Sequence, residues 1–158
     1  MVGISTIGIP FLVLAAAGQW WLKTDQLRSR HVLVAAGLSF ILGLALNQVI
    51  LLFIHRIRPY DSGMTHLLIE RSADFSFPSD HATASFAIAA TFLLHGMTRR
   101  GLCFTVAAGL MMLSRVYVGT HYVSDVLGGC LTRFAAAALV RFAFREGTRA
   151  DNFMTSIL

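Results

Sequence analysis

Two stretches of the chain, Val2 to Leu22 and Val32 to Ile54, contain no charged residue. Each is about twenty residues long, the length an α-helix needs to cross the hydrocarbon core of a bilayer. Three less uniform apolar stretches follow: Ser79 to Met97, Gly101 to Val118 and Tyr122 to Phe144. The pattern predicts an all-α, polytopic membrane bundle of about five transmembrane helices, because an open sheet cannot satisfy its backbone in lipid. The predicted connections are short except for His55 to Pro78. With no repeat, low-complexity segment or linker, residues 1–158 are expected to form a single domain.

The first stretch differs from a cleaved leader. It lacks a basic start, its apolar run is long, and it ends in Gln19-Trp20-Trp21 instead of small residues. It is expected to be a retained span, with the two tryptophans in the interfacial belt.

Composition supports the membrane reading. Of 158 residues, 56% are hydrophobic and 13% charged, about half the charge of ordinary soluble domains. A net charge of +5 could indicate nucleic acid, but no basic stripe alternates with exposed aromatics, so no nucleic-acid partner is expected. Cys103 and Cys130 fall inside predicted spans and suggest neither a disulfide framework nor a zinc site.

Charge placement sets the topology. Lys23, Arg28 and Arg30 in the first loop, Arg99 and Arg100 in the third, and Arg145 and Arg149 in the tail share one side. The second loop balances Arg56, Arg58 and Arg71 with Asp61, Glu70 and Asp74. By the positive-inside rule, the N-terminus and the second and fourth loops lie outside. Three polar clusters then meet the outer face: Arg58-Pro59, Pro78 to His81, and Arg115 to Asp125.

His121 and Asp125 stand one helical turn apart at the start of the fifth predicted helix, on one face. A carboxylate that takes one imidazole N–H leaves the other nitrogen free as nucleophile or base. A capped helix start would explain this pair as well, but Arg115 nearby is costly in a membrane without an anion to bind. Ser79 or Asp80 can cap the third helix, whose free N–H groups favour anions. Capping alone does not account for His81 in the same turn, and two histidines beside cations suggest a nucleophile and a general acid. Arg58 alone would read as a side chain snorkelling to head groups.

Together the clusters resemble the type 2 phosphatidic acid phosphatase superfamily, with its signature Lys-x6-Arg-Pro, Pro-Ser-Gly-His and Ser-Arg-x5-His-x3-Asp. The third element matches at every specified position from Ser114 to Asp125. The resemblance runs from the second span to the fifth. It implies a membrane helical bundle working without metal or other cofactor, whose active site the loop charges place at the outer face. By position it implies that His121 attacks phosphorus, Asp125 orients it and His81 protonates the leaving oxygen. Arg58, Arg115, Ser79 and the backbone of Asp80 would hold the phosphoryl oxygens.

Two positions depart from the signature. Leu51 replaces the lysine, leaving Arg56 or His55 as a substitute cation, and Asp80 replaces the glycine. Asp80 either points away as a cap or tunes the protonation of His81. The run Ala73 to Thr83, with His66 upstream, is similar to the bacterial undecaprenyl-diphosphatase branch associated with bacitracin resistance. That resemblance implies undecaprenyl diphosphate as substrate, a place in cell-wall synthesis, and a location in the cell membrane among its lipids. Six spans are common in the superfamily, so five implies a shorter N-terminal part.

Other polar residues invite structural readings. His31 is expected to be solvated in the first loop, His95 to pack near the inner interface, and Arg133 to snorkel or pair inside the bundle. Asn47 and Gln48 are expected to bridge helices. Two alternatives accompany the leading function. One is a phosphatidic acid or phosphatidylglycerophosphate phosphatase. The other, of a different class, is a non-catalytic binder or transporter of anionic lipid, although no repeated halves with broken helices support transport.

Overall fold

The computed structural model describes residues 1–156. Its helices are α1 (Val2–Ala17), α2 (Gln26–Leu51), α3 (Asp80–Leu94), α4 (Thr98–Tyr117), α5 (Val123–Ala143) and α6 (Arg149–Thr155), with a 3₁₀ turn at Gly18–Trp21 after α1. The five predicted spans correspond to α1–α5.

α3 is the axis of the bundle, packed against α2, α4 and α5. Its sequence explains the position: Ala82, Ala84, Ala87, Ala89 and Ala90, with Thr83, Ser85 and Thr91, are all buried. Such small side chains let three neighbours approach closely. The outer helices are turned the opposite way. Phe11, Leu14, Ile41, Leu113, Leu131 and Phe142 are exposed, while Ser39, Asn47 and Arg133 are buried. An apolar exterior around a polar-laced interior suits lipid as solvent.

Among the described residues, three helical segments are long and apolar enough to cross a membrane: Val2–Trp21, Gln26–Leu51 and Val123–Ala143. α3, at 15 residues, rises only about 22 Å at the usual helical pitch, short of the ~30 Å hydrocarbon core. α4 opens with Arg99 and Arg100 and carries Arg115 near its end. α1, α2 and α5 thus meet the length and hydropathy of a span, while α3 and α4 are shorter or more charged.

The boundaries also shift. α2 begins six residues before Val32, so Arg28, Arg30 and His31 ride on its first turns. His31 is not solvated as expected. It is 2% exposed, 2.7 Å from Asp151 Oδ1 and stacked on Phe144. The partner lies on α6, an unexpected helix folded back against α2.

Candidate active site

All three polar clusters meet at one end of the bundle. The turn between α4 and α5 is held from both sides. Gly119 has φ +81, a left-handed conformation that costs glycine little. A Cβ there would stand 2.7 Å from the His66 carbonyl oxygen. Thr65 Oγ1 donates to the Gly119 carbonyl at 3.0 Å, and Thr120 Oγ1 donates to Arg115 O at 2.9 Å. The long second loop thus braces the segment that presents His121.

His121 is 4% exposed. Its Nδ1 lies 2.8 Å from the carbonyl oxygen of Ser76. A carbonyl only accepts, so Nδ1 carries the proton and Nε2 of the neutral ring keeps its lone pair. That Nε2 faces the Arg58 guanidinium at 3.3 Å. Burial pushes the imidazole below its ordinary pKa of 6.5; Asp125 opposes this, and the charges of Arg58 and Arg115 reinforce it. The ring is held neutral, the form with nucleophilic capacity.

Asp125, fully buried, does not bond His121 directly, since Oδ2 is 3.8 Å from Nδ1. Oδ2 instead accepts from Ser76 Oγ and from the Tyr122 N–H at 2.8 Å. Ser76 therefore links the pair, with its carbonyl on His121 and its hydroxyl on Asp125. Sequence reasoning missed Ser76; its only signal was a place three residues before Ser79.

Arg58 is clamped by Asp74 O at 2.7 Å, Ser72 Oγ at 3.1 Å and Thr120 O at 3.2 Å. Arg115 NH1 donates to Ser5 Oγ of α1 at 2.7 Å. Among the described residues its Nε is buried without a partner, as is the Ser79 hydroxyl. An unpaired buried donor costs about 1–3 kcal/mol, so the site favours an anion that engages both. His81, half-buried in the first turn of α3, lies within electrostatic reach of Arg115, His121 and Arg58.

The two candidate substitute cations have partners in the second loop and at the start of α5. Arg56 NH1 donates to Asp125 Oδ1 at 2.8 Å and to Ser124 Oγ at 2.6 Å, and its guanidinium covers the Tyr122 ring. It forms an ion pair with Asp125. His55 packs against Phe75. Asp80 is held by Asn47 on α2 at 2.7 Å, which favours the expectation that its side chain points away. Arg133 is fully buried. It donates to the carbonyls of Thr83, Ser39 and Phe40, pairing inside the bundle.

The chain matches the PAP2 superfamily model over residues 32–148. It is 35% identical over 144 residues to undecaprenyl-diphosphatase BcrC of Bacillus subtilis, covering 91% of this chain and 71% of that protein. It is 31% identical over 137 residues to phosphatidylglycerophosphatase B of the same organism, covering 80% of this chain and 63% of that protein. A crystal structure of a transmembrane PAP2 type phosphatidylglycerolphosphate phosphatase from Bacillus subtilis superposes with a TM-score of 0.63 at 28% identity, covering 94% of this chain and 74% of that one. The chain thus spans less than two thirds of one relative and about seven tenths of the other.

Proposed function

The chain belongs to the PAP2 superfamily and is a multi-pass membrane protein, and we propose that it hydrolyses undecaprenyl diphosphate to undecaprenyl phosphate through a phosphohistidine at His121. The observation that carries this reading is the imidazole of His121, fixed through Nδ1 on Ser76 with Nε2 turned to Arg58.

The terminal phosphoryl group sits among Arg58, Arg115 and Ser79, which neutralise its oxygens. Nε2 attacks phosphorus in line; a P–N bond forms as the P–O bond to the lipid phosphate breaks. The negative phosphoryl group bound beside His81 favours its protonated form, and in that complex His81 carries the proton it gives to the leaving oxygen. Water then attacks the phosphohistidine, His81 takes its proton, and the P–N bond breaks to release phosphate. Such a transfer relies chiefly on positioning and charge stabilisation, which two clamped guanidinium groups supply without a metal.

The sidedness of the bundle supports an extracytoplasmic site. Arg28 and Arg100, whose bonds go to His95 O and Ser29 Oγ, lie at the end opposite His121. Arg30, which reaches Thr155 O, lies there too.

The second reading, a phosphatidic acid or phosphatidylglycerophosphate phosphatase, draws on the likeness to phosphatidylglycerophosphatase B. Phosphate release by purified protein in detergent with chelator present, from each lipid, separates the two. Release chiefly from undecaprenyl diphosphate supports the first reading. Release chiefly from a glycerophospholipid substrate contradicts it while keeping the mechanism. Lipid binding without release from any substrate supports the binder or transporter alternative.

A further inference from the structure

The end of the bundle opposite His121 has a polar pocket of its own. It has a volume of about 210 Å³ and is lined by Arg28, His31, Val32, His95, Arg141 and Glu146. We propose that this pocket is a second phosphate-group site, distinct from the hydrolytic one and serving to bind without hydrolysis.

Its cations are already positioned. Arg28 of α2 donates from one nitrogen to His95 O at 2.8 Å, and Arg141 of α5 donates from one nitrogen to Leu94 O. Both guanidinium groups are thereby held over the last turn of α3, and among the described residues their remaining N–H groups have no partner. A side chain ordered before the ligand arrives loses less entropy on binding. Arginine forks also suit the paired oxygens of a phosphate.

The histidines are held in the same manner. His31 uses Nδ1 on Asp151 and is stacked on Phe144. His95 uses Nδ1 on Thr91 O at 2.9 Å and meets His31 edge-on. With Nδ1 of His95 on a carbonyl, its Nε2 carries a lone pair and offers a phosphate no donor, so the donors here are those of Arg28 and Arg141. Glu146 is the acidic residue that lines the pocket; nearby Asp151 is committed to His31 and to the Gly147 N–H. Two arginines against one carboxylate leave the pocket positive.

His95 shares the tautomer of His121, with Nδ1 on a backbone carbonyl, but Arg28 and Arg141 beside it are exposed, whereas Arg58 and Arg115 are buried; a phosphate group here would be held and not transferred. Basic pockets between helices at the cytoplasmic surface favour phospholipid head groups. Free inorganic phosphate offers the same oxygens, so the shared chemistry is a tetrahedral phosphate anion.

Glu146→Gln tests this without touching a buried contact, since Glu146 is exposed. Native mass spectrometry of the full chain would compare retention of phosphatidylglycerol with diacylglycerol, which lacks the phosphate, in wild type, Glu146→Gln and Arg141→Gln. A parallel titration would record the melting temperature against inorganic phosphate. Severalfold stronger phosphatidylglycerol retention in Glu146→Gln, and weaker retention in Arg141→Gln, identifies a lipid head group. The same ranking with phosphate alone identifies the free anion. Undecaprenyl diphosphate turnover by Glu146→Gln should match wild type. Equal binding of both probes by wild type and Glu146→Gln overturns the proposal, whatever the outcome at His121.

Discussion

Asn47 Nδ2 lies 2.7 Å from Asp80 Oδ1, so the carboxylate standing where the family signature has glycine is tied to α2. The same amide nitrogen bonds Thr83 Oγ1 at 2.8 Å, and Asn47 Oδ1 accepts from Thr132 Oγ1 of α5 at 3.0 Å. One buried side chain therefore joins three helices one turn beneath Ser79 and His81, and it makes the departure from the signature structurally consistent.

Asn47→Ala is expected to destabilise the protein by about 1–3 kcal/mol, the cost of leaving buried polar partners unpaired. Asp80→Gly in the same chain should recover part of that loss. Denaturant unfolding of the two single variants and the double variant in detergent measures the coupling; strictly additive losses would argue against it.

Ser76→Ala keeps the carbonyl that holds His121 but removes the hydroxyl on Asp125. Losing one hydrogen bond to a charged group, worth about 1.5–3 kcal/mol, should lower kcat by roughly ten- to a hundredfold and leave KM nearly constant. Turnover at the wild-type rate would remove Ser76 from the positioning of His121.

The pH profile follows from the burial of His121. Its neutral ring is the nucleophile, and its pKa lies below 6.5. The free protein should therefore keep kcat/KM as pH falls to about 6.5 and lose it only below, as Nε2 takes a proton. Arg58→Gln removes a charge that depresses this pKa, so its acid limb should move upward. An acid limb that is already falling above pH 7 in the wild type would contradict the assignment.

Gly129 faces Ser79 across the α3–α5 contact, where a Cβ would stand 2.7 Å from the Ser79 carbonyl oxygen. Backbone cannot yield as a flexible side chain can. Gly129→Ala should cost about 1–3 kcal/mol through overpacking and also depress turnover, because Ser79 N is bonded to Asp125 O at 3.1 Å. Thermal melts paired with phosphate release would show whether both effects occur.

The sequence made the lipid-facing features legible, and the reasons are physical. Uncharged runs announced α1 and α2, and the spacing Ser114 to Asp125 announced the site. The contacts of polar residues with one another were harder to read. Arg56 is a candidate substitute cation because charge is visible in sequence; its pairing with Asp125 depends on where a long loop returns. His31 looked solvated because Arg28 and Arg30 flank it; α6 folds over it, and no apolar run marks so short a helix. Ser76 was silent because half of its work is done by a backbone carbonyl, which every residue has.

The central claim is covalent chemistry at His121, and rapid quenching tests it most directly. Undecaprenyl diphosphate labelled in its terminal phosphate would be mixed with the His81→Ala variant, in which release of the phosphoryl group should be slowed, and stopped in alkali, where phosphohistidine survives. The account predicts label on the peptide containing His121, labile to acid and absent from His121→Ala. Label on any other residue, or full turnover by His121→Ala, would contradict it.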